Sequence, residues 1–187
     1  MGGHVKVVIV NWNGQGYLER CLSSLRQQTY ADFEVLLVDN GSTDGSVALA
    51  RERFPEVRLL ELERNAGFAT GNNLGIRASQ GPYVATLNTD TEAEPGWLTA
   101  LGEGMEAAPH VGMCASTMLF FHHRERINST GIAIDRLGIA WDRDGGRLDA
   151  EAGLAPGEVF GPCAGAALSR RELLEETGGF DDGYFYL

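Results

Sequence analysis

Short apolar runs alternate with amphipathic helical patterns through the first half of this 187-residue chain. The first run, Val5–Asn11, is nearly continuous in apolar residues, as expected for a strand buried on both faces of a parallel sheet. The segments between the runs carry apolar residues at helical spacing. This alternation predicts an α/β fold, with right-handed crossovers, a mostly parallel sheet and helices on both faces. The predicted strands are Val5–Asn11, Phe33–Asp39, Val57–Leu62 and Tyr83–Leu87, and the predicted helices are 17–28, 44–53 and 68–78.

The second half of the chain has a weaker pattern. Pro95 suits the first turn of a further helix. Residues 111–161 are rich in Gly, Asp and Arg, and predict short extended segments joined by loops. After them, Cys163–Leu168 predicts a strand, and the sequence of 169–172 predicts a capping box that begins a helix ending near Gly178. Since no interdomain linker is visible, we interpret the whole chain as a single domain.

Charge and cysteine content exclude several classes of protein. The chain has 26 acidic residues against 15 lysines and arginines, a net charge of -11. Such a charge repels polyanions and argues against nucleic-acid binding. The apolar runs are too short to span a bilayer, and no signal peptide is visible. The scattered cysteines Cys21, Cys114 and Cys163 indicate reduced thiols, so we expect a cytoplasmic protein.

Polar residues follow all four predicted strands. The first strand leads into Asn11–Gly14, the second into Asp39–Asp44, the third toward Asn65–Phe68 and the fourth into Asn88–Asp90. In open parallel sheets, ligands bind beyond the carboxyl ends of the strands. Asn and Asp also cap helices and form turns, which is the plain alternative at any one strand end. Their presence at four successive ends favours a polar ligand site.

The usual phosphate-binding loops are missing from the sequence. Gly14-Gln15-Gly16 lacks the third glycine of the dinucleotide fingerprint because Glu19 occupies that position, and no Gly-Lys-Ser/Thr loop is present. A bound nucleotide would therefore need a hard cation, and Asp90 is the candidate ligand for Mg²⁺ or Mn²⁺. Trp12 is either a stacking face for a base or an aromatic residue of the core or of its rim. Asp39 can accept a hydrogen bond from a base.

Three glycines recur every four residues in the helix predicted after the third strand. They are Gly67, Gly71 and Gly75, and they form a smooth stripe that permits close approach of the backbone. The stripe predicts either tight packing on the sheet or an approach to a ligand. Beside it, Asn72 and Asn73 face either the ligand or the solvent.

A set of motifs occurs in order along nearly the whole chain, and each motif is weak alone. The set comprises 7–14, 28–30, 38–46, 65–75, 87–91, 161–166 and 178–181. Together they resemble family 2 glycosyltransferases of the GT-A fold, in the rhamnosyltransferase-like branch. The resemblance implies a GT-A-type, Rossmann-like sheet. Residues 1–110 would form the nucleotide-sugar-binding half, and 111–187 the start of an acceptor half whose C-terminal part is incomplete.

The resemblance also implies roles for particular residues. Trp12 and Asp39 would hold the base, with backbone contacts from Val10. Asn88-Thr89-Asp90 stands where the family has an Asp-x-Asp metal motif; because the first carboxylate is Asn here, Asp90 would be the main metal ligand. The residues expected to bind the nucleotide sugar are Val10, Asn11, Trp12, Asp39, Asn65, Asn72 and Asn88, and those expected on the acceptor side are Gly161, Pro162 and Cys163.

The family's general base is the Asp of a Glu-Asp pair that should follow a segment like 183–187, so we expect it beyond Leu187. Asp181 and Asp182 match an earlier Phe-Asp element and are not assigned as the base. We therefore assign no catalytic residue within the chain, and expect a donor-binding fragment with little or no activity.

The resemblance implies an inverting, metal-dependent glycosyltransferase that uses a UDP- or dTDP-sugar and a glycan or lipid-linked acceptor, in cell wall or polysaccharide biosynthesis. One alternative is a nucleotide-sugar-binding module without catalysis. Another is a sugar nucleotidyltransferase, which usually needs a basic glycine-rich loop after the first strand, whereas residues 11–16 contain no Lys or Arg. For the full-length protein we expect peripheral association with the inner face of a membrane. Exposed apolar surface would favour a homodimer.

Overall fold

A computed structural model describes residues 3–185. The first half of the chain forms four strands and four helices in strict alternation: β1 Val5–Asn11, α1 Gln15–Leu25, β2 Phe33–Asp39, α2 Ser46–Arg53, β3 Arg58–Glu61, α3 Phe68–Arg77, β4 Tyr83–Leu87 and α4 Trp97–Ala107. The second half forms β5 Met113–Ala115, β6 Met118–Phe120, β7 His123–Ser129, β8 Ile132–Ile134, β9 Ala140–Asp142, α5 Asp149–Ala152, β10 Ala166–Arg170 and α6 Arg171–Thr177.

The central sheet has six strands within the described part of the chain, in the order β3-β2-β1-β4-β10-β5. Strand β1 pairs in parallel with β2 and β4, and β2 pairs in parallel with β3. Strand β10 runs antiparallel to both of its neighbours, β4 and β5. The prediction of a mostly parallel sheet is therefore confirmed. Because Asn11 pairs with Asp39, and Asp39 with Glu61, the first three strands end at one level.

Helices cover both faces of this sheet, as predicted. Residues such as Val7 and Ile9 of β1 face a core to which α1, α2 and α4 contribute. The intervening Val8 faces the opposite core, where Ile76 of α3 and Leu174 of α6 lie. A side-chain period of two therefore divides each central strand between two apolar layers. This double coverage explains why the strands are nearly continuous in apolar residues.

The glycine stripe serves packing at two of its three positions. A Cβ atom at Gly71 would lie 2.8 Å from Val10 Cγ1, and one at Gly75 would collide with Val8 Cγ1. Helix α3 can therefore approach β1 closely only because these two residues have no side chain. The third glycine, Gly67, comes just before the helix and has a φ of 91°, which a residue with a side chain rarely adopts.

The capping box predicted at 169–172 is wrong. Ser169 lies inside β10 and pairs with Val84, so its hydroxyl is not at a helix end. Arg170 occupies the N-cap position of α6 and makes no side-chain capping bond. The residue directly before the helix is extended, as a cap requires, but it is Arg170, whose side chain has no oxygen to accept from the first N–H groups of the helix. The end of the helix is as predicted, because Gly178 has a φ of 82°.

Residues 111–161 form short strands and loops, as predicted, and also the short helix α5, which was not predicted. Two hairpins lie outside the main sheet: β6 pairs with β7, and β8 pairs with β9. None of the helices within residues 3–185 is long and apolar enough to cross a membrane.

Candidate functional site

The ends of the parallel strands meet at one edge of the sheet. Asn11 and Asp39 are register partners at the ends of β1 and β2. The segment after β4 lies on the same edge, since the Thr89 hydroxyl donates to the carbonyl of Val10 at 3.2 Å. A Cβ atom at Gly14 would also lie 3.3 Å from Thr89 Cγ2. The structure thus brings together the predicted residues that follow these three strands.

A buried pair, Asn11 and Asp39, lies at the centre of this edge. Asn11 is 0% exposed, and its Nδ2 donates to Asp39 Oδ1 at 2.9 Å and to Ser42 Oγ at 3.0 Å. The other carboxylate oxygen, Asp39 Oδ2, accepts from the backbone N–H of Ser42 at 2.9 Å. Both oxygens of Asp39 are therefore held in place by the chain itself. Each oxygen keeps accepting capacity for a ligand, because a carboxylate oxygen can accept more than one hydrogen bond.

The buried Asn11 Oδ1 has no hydrogen-bond partner in the described structure. It lies so close to Gly14 that a Cβ atom there would collide with it. Rotating the amide by half a turn would not help, because Oδ1 would then face the Asp39 carboxylate. The orientation of Asn11 is therefore set by Asp39, and Gly14 is the residue type that leaves room for it.

The loops after β1 and β2 are joined by side-chain-to-backbone hydrogen bonds. The backbone N–H of Asn13 donates to Ser42 Oγ at 2.9 Å, and that of Thr43 donates to Asn13 Oδ1 at 2.8 Å. The N–H of Gln15 donates to Asp44 Oδ2 at 2.8 Å. Asn13 has a φ of 53°, a left-handed conformation that asparagine tolerates better than most residues. These bonds fix the two loops relative to each other.

Trp12 lies within this fixed loop, and its side chain is 51% exposed. Its neighbours Asn11 and Asn13 are both bonded to the second loop, through Asp39 and Ser42. The backbone of Trp12 is thus constrained while its indole remains open to solvent. An exposed aromatic ring on a constrained backbone can serve as a stacking surface.

Asp44 joins the second loop to the start of α2. It accepts from the backbone N–H of Ser46 at 3.0 Å, and from the Ser46 hydroxyl. Burial raises the pKa of this carboxyl group, and the hydrogen bonds from Ser46 and Gln15 lower it; the net result is a pKa below its ordinary value of 3.8. The ionised form is therefore the one that the loop geometry favours.

The loop after β3 is held by a residue that the sequence analysis did not assign. Asn40 is buried, and its Nδ2 donates to Asn65 Oδ1 at 2.8 Å and to the carbonyl of Gly67 at 3.1 Å. Its Oδ1 accepts from the N–H of Ala66 at 2.8 Å. The predicted site residue Asn65 thus contributes to holding its own loop. Asn40 directly follows a buried strand, and this position in the sequence could have identified it as a site residue.

The two asparagines of α3 differ in what they contact. The side-chain amide of Asn72, a predicted ligand contact, donates to Phe68 of its own helix at 3.0 Å. Asn73 binds the C-terminal segment, donating to the carbonyl of Phe180 and to Asp182 Oδ1, each at 2.7 Å. Both side chains are buried, so neither faces the solvent.

The segment after β4 carries the predicted metal ligand. Asn88 donates its N–H to the carbonyl of Gly165 at 2.8 Å, which links this segment to the loop before β10. Asp90 is exposed, close enough to the buried Cys21 to affect its thiol. Burial is the main cause that raises the pKa of Cys21 to about 12; a hydrogen bond with Thr91 lowers it, and the charge of Asp90 raises it further.

The oxygen ligands at this edge fit a magnesium or manganese ion that is also coordinated by a bound substrate. Residues 3–185 contain no group of three or more His, Cys, Asp or Glu side chains that could hold a metal. Mg²⁺ usually binds one or two protein carboxylates, substrate phosphates and water, rather than a complete protein cage. One exposed carboxylate, Asp90, beside an open polar edge therefore fits such an ion.

The loop predicted on the acceptor side adjoins this edge. The carbonyl of Gly161 accepts from Ile132 at 2.7 Å, and that of Cys163 accepts from Ala166 at 3.2 Å. Pro162 lies against a small cleft beneath α6 that Phe180 also lines. The segment 183–187, expected to precede the general base, is described only as far as residue 185; Tyr186 and Leu187 lie outside the described residues.

Curated proteins similar to this chain include several glycosyltransferases. It is 32% identical to the N-acetylglucosaminyl-diphospho-decaprenol L-rhamnosyltransferase of Mycobacterium tuberculosis, over 96% of this chain and 65% of that protein. It is 30% identical to an uncharacterised glycosyltransferase of Nostoc, over 92% of this chain and 52% of that protein. With YibD of Escherichia coli it shares 32% identity over 68% of this chain and 40% of that protein. The chain thus spans about half the length of the relatives it matches.

Solved structures with the same fold include a mannosyltransferase and TarS. A mannosyltransferase from Pyrobaculum calidifontis, in complex with GDP-Man and Mn²⁺, superposes with a TM-score of 0.69 over 96% of this chain and 48% of that one, at 23% identity. TarS 1–349 of S. aureus, in complex with UDP-GlcNAc, gives a TM-score of 0.66 over 95% of this chain and 48% of that one, at 17% identity. These similarities establish the GT-A fold.

The family model described as Glycosyl transferase family 2 matches residues 6–178, which include every strand and helix described above except for Val5, the first residue of β1. Together with the sheet and the relatives, this match shows that the chain belongs to glycosyl transferase family 2.

Proposed function

We propose that this chain binds a nucleotide-diphosphate sugar and forms the donor-binding part of an inverting, metal-dependent glycosyltransferase. The observation that carries the proposal is the buried Asn11–Asp39 pair beside the exposed Trp12, held by two loops that are bonded to each other. A fixed carboxylate accepts the N–H of a base, and an adjacent indole stacks on its ring. Uracil and thymine present such an N–H, and the donors that we propose are UDP- and dTDP-sugars.

Asp90 would hold Mg²⁺ or Mn²⁺ against the donor diphosphate. Without a cation, the net charge of -11 would repel the diphosphate. An ion held by Asp90 would supply positive charge beside the diphosphate leaving group. The name of the Pyrobaculum complex, with GDP-Man and Mn²⁺, supports this assignment. Asn88, which occupies the other outer position of the motif, would contribute an amide in place of a carboxylate.

The acceptor would enter from the side of the Gly161 loop, which is joined to Asn88 through Gly165. We propose a saccharide or a lipid-linked glycan, which the name of the mycobacterial relative supports. Attack by its hydroxyl in a single displacement inverts the anomeric centre and needs a general base. We assign neither Asp181 nor Asp182 to that role, because both match the Phe-Asp element that precedes the family's Glu-Asp pair.

Calorimetry with UDP-, dTDP- and GDP-sugars, with and without Mn²⁺, tests the donor site. We expect binding that requires the metal, and a loss of about tenfold or more in affinity for Asp90→Ala, since removing a ligand of the ion weakens its hold. Glu103→Ala, an exposed carboxylate on α4, is the matched control and should leave the affinity unchanged. Equal affinity with and without Mn²⁺ would refute the metal's role, and binding of none of these sugars would refute the donor site.

A turnover assay with the same chain separates binding from catalysis. Since no described carboxylate is assigned as the general base, we expect donor binding with little or no sugar transfer. Robust transfer by the 187-residue chain would show that the base lies within it.

A further inference from the structure

The β8–β9 hairpin with its connecting turn, residues 132–142, projects from the body of the molecule; we call it the finger. Large apolar side chains are concentrated in it: Leu137 is 85% exposed, Ile139 59% and Trp141 50%. Apolar side chains this open are unusual when they are clustered on one element. The finger therefore presents apolar surface that the described part of the chain leaves uncovered.

Exposed apolar side chains lie on both faces of the finger. In the strand register, Ala133 pairs with Trp141, and Ile134 pairs with Ala140. Because side chains of successive residues alternate between faces, Trp141 and Ile134 lie on opposite sides of the hairpin. A two-stranded hairpin bare on both faces gains little burial of its own. The element covering it must therefore reach both faces.

The tip of the finger has a defined shape. Asp135 Oδ1 accepts from the backbone N–H of Leu137 at 2.8 Å and from that of Ile139 at 3.0 Å. The N–H of Asp135 in turn donates to the carbonyl of Ile139 at 3.0 Å. The turn thus holds Leu137 and Ile139 outward, together with the exposed Arg136. This order distinguishes the tip from a loose loop.

The base of the finger is anchored beside the candidate site. Ile132 donates its N–H to the carbonyl of Gly161 at 2.7 Å, and Arg143 donates to the carbonyl of Gly131 at 2.8 Å. The Gly161 loop continues to Gly165, whose carbonyl binds the N–H of Asn88. A partner that covers the finger would therefore lie close to the proposed acceptor side.

We propose that the finger inserts into the interfacial layer of a phospholipid bilayer. A flat protein surface would cover one face of the hairpin, whereas a bilayer surrounds the tip and both faces. Trp141 is of the residue type enriched at membrane interfaces, and Arg136 can extend its guanidinium to lipid phosphates while Leu137 and Ile139 enter the acyl boundary. This inference goes beyond the proposed function, because vesicle binding requires neither a sugar donor nor a metal.

Co-sedimentation with phosphatidylcholine vesicles tests the insertion. We expect the chain to bind, and the Leu137→Asp/Ile139→Asp variant to bind about 100-fold more weakly, about tenfold for each apolar side chain withdrawn from lipid. Because both positions are exposed, the melting temperature should not change. The matched control is Leu119→Asp/Phe120→Asp in β6, which makes the same charge change on the neighbouring hairpin at side chains that are also exposed. An equal loss in both variants would overturn the role of the finger.

Tryptophan fluorescence locates the contact. Emission should shift to shorter wavelength on addition of vesicles, and the shift should disappear in Trp141→Phe but persist in Trp12→Phe. Absence of vesicle binding would refute the proposal. So would a dimer that Leu137→Asp dissociates, because a second copy of the chain would then be what covers the finger.

Discussion

The parallel strands β1 to β4 and the β8–β9 hairpin use apolar residues in opposite ways. In the parallel region, side chains such as Val8 and Leu37 are fully buried because helices cover both faces of the sheet. In the β8–β9 hairpin, Leu137 and Ile139 extend into solvent because no helix or second sheet of the described chain covers them. The difference shows that apolar content alone does not identify a core: the layers around a strand decide whether its side chains are buried.

Replacing a leucine in each region should give the largest contrast. Leu37→Ala removes a buried side chain of β2 and leaves a cavity, so it should lower the free energy of unfolding by about 3 kcal/mol. Leu137→Ala should change it by less than about 0.5 kcal/mol, because the side chain contacts mainly water. Urea unfolding followed by circular dichroism measures both values. Comparable losses in the two variants would show that the finger is covered within the chain.

The parallel region was predictable from sequence because its local and tertiary signals agree. The run Val5–Asn11 is apolar at nearly every position, as two-sided burial requires, and the structure places β1 at those residues. The capping box failed because Ser169 and Glu172 have the right spacing for a cap, yet pairing with Val84 holds Ser169 in a strand. Sheet pairing between distant segments overrode a pattern that is read from four neighbouring residues.

The candidate site was predictable in its location but not in its internal contacts. Strand ends mark the edge, and the register of β1 with β2 then brings Asn11 beside Asp39. Sequence could not show that Asn11 is completely buried and holds Asp39, or that Asn40 holds the loop of Asn65. Such roles depend on the face of the sheet toward which each side chain at a strand end points. A shift of one residue in the register moves that side chain to the opposite face.

The finger was not predictable as an exposed element. Residues 132–142 contain isoleucines, a leucine and a tryptophan in a pattern that also suits a buried hairpin. Only the arrangement of the other elements shows that helices and sheet leave it uncovered. Exposure therefore depends on the whole fold, whereas pairing of β8 with β9 depends on local sequence.

Removing the hydroxyl of Ser42 should give an intermediate effect, confined to the parallel region. Its Oγ accepts from Asn11 Nδ2 and from the N–H of Asn13, so Ser42→Ala leaves two donors without this partner. We expect a loss of about 1 kcal/mol in the free energy of unfolding, and a donor affinity lower by about fivefold because the loop carrying Trp12 loosens. Denaturation and calorimetry measure the two effects.

Thr43→Ala is the control for that variant. It removes a hydroxyl from the same loop and keeps the hydrogen bond from the backbone N–H of residue 43 to Asn13 Oδ1. Both unfolding and donor binding should stay close to those of the original chain. If the two alanine variants behave alike, the Ser42 hydroxyl does not join the loops as described.

The smallest expected effect is a difference in salt response between two carboxylates, one in each region. The pKa of Asp44 lies below 3.8 because the neutral donors of Ser46 and Gln15 outweigh burial. That of Asp144, which follows β9, lies below 3.8 because of a hydrogen bond from Thr130 and its contacts with Arg147. Since both folded pKa values are lowered, each group stabilises the fold above pH 3.8, and this stabilisation is lost as the pH falls through the folded pKa.

Salt separates the two carboxylates because it screens charged partners more than neutral ones. In about 1 M NaCl, where screening extends over roughly 3 Å, the pKa of Asp144 should rise toward 3.8 while that of Asp44 changes little. Carboxyl carbon chemical shifts, followed by NMR from neutral to acid pH, give both values in one sample. An equal rise for both groups would mean that an ion pair, and not the backbone and hydroxyl donors of the joined loops, holds Asp44 ionised. The contrast between Asp44, held by neutral donors alone, and Asp144, held by the Thr130 hydroxyl together with Arg147 and Arg143, would then fail.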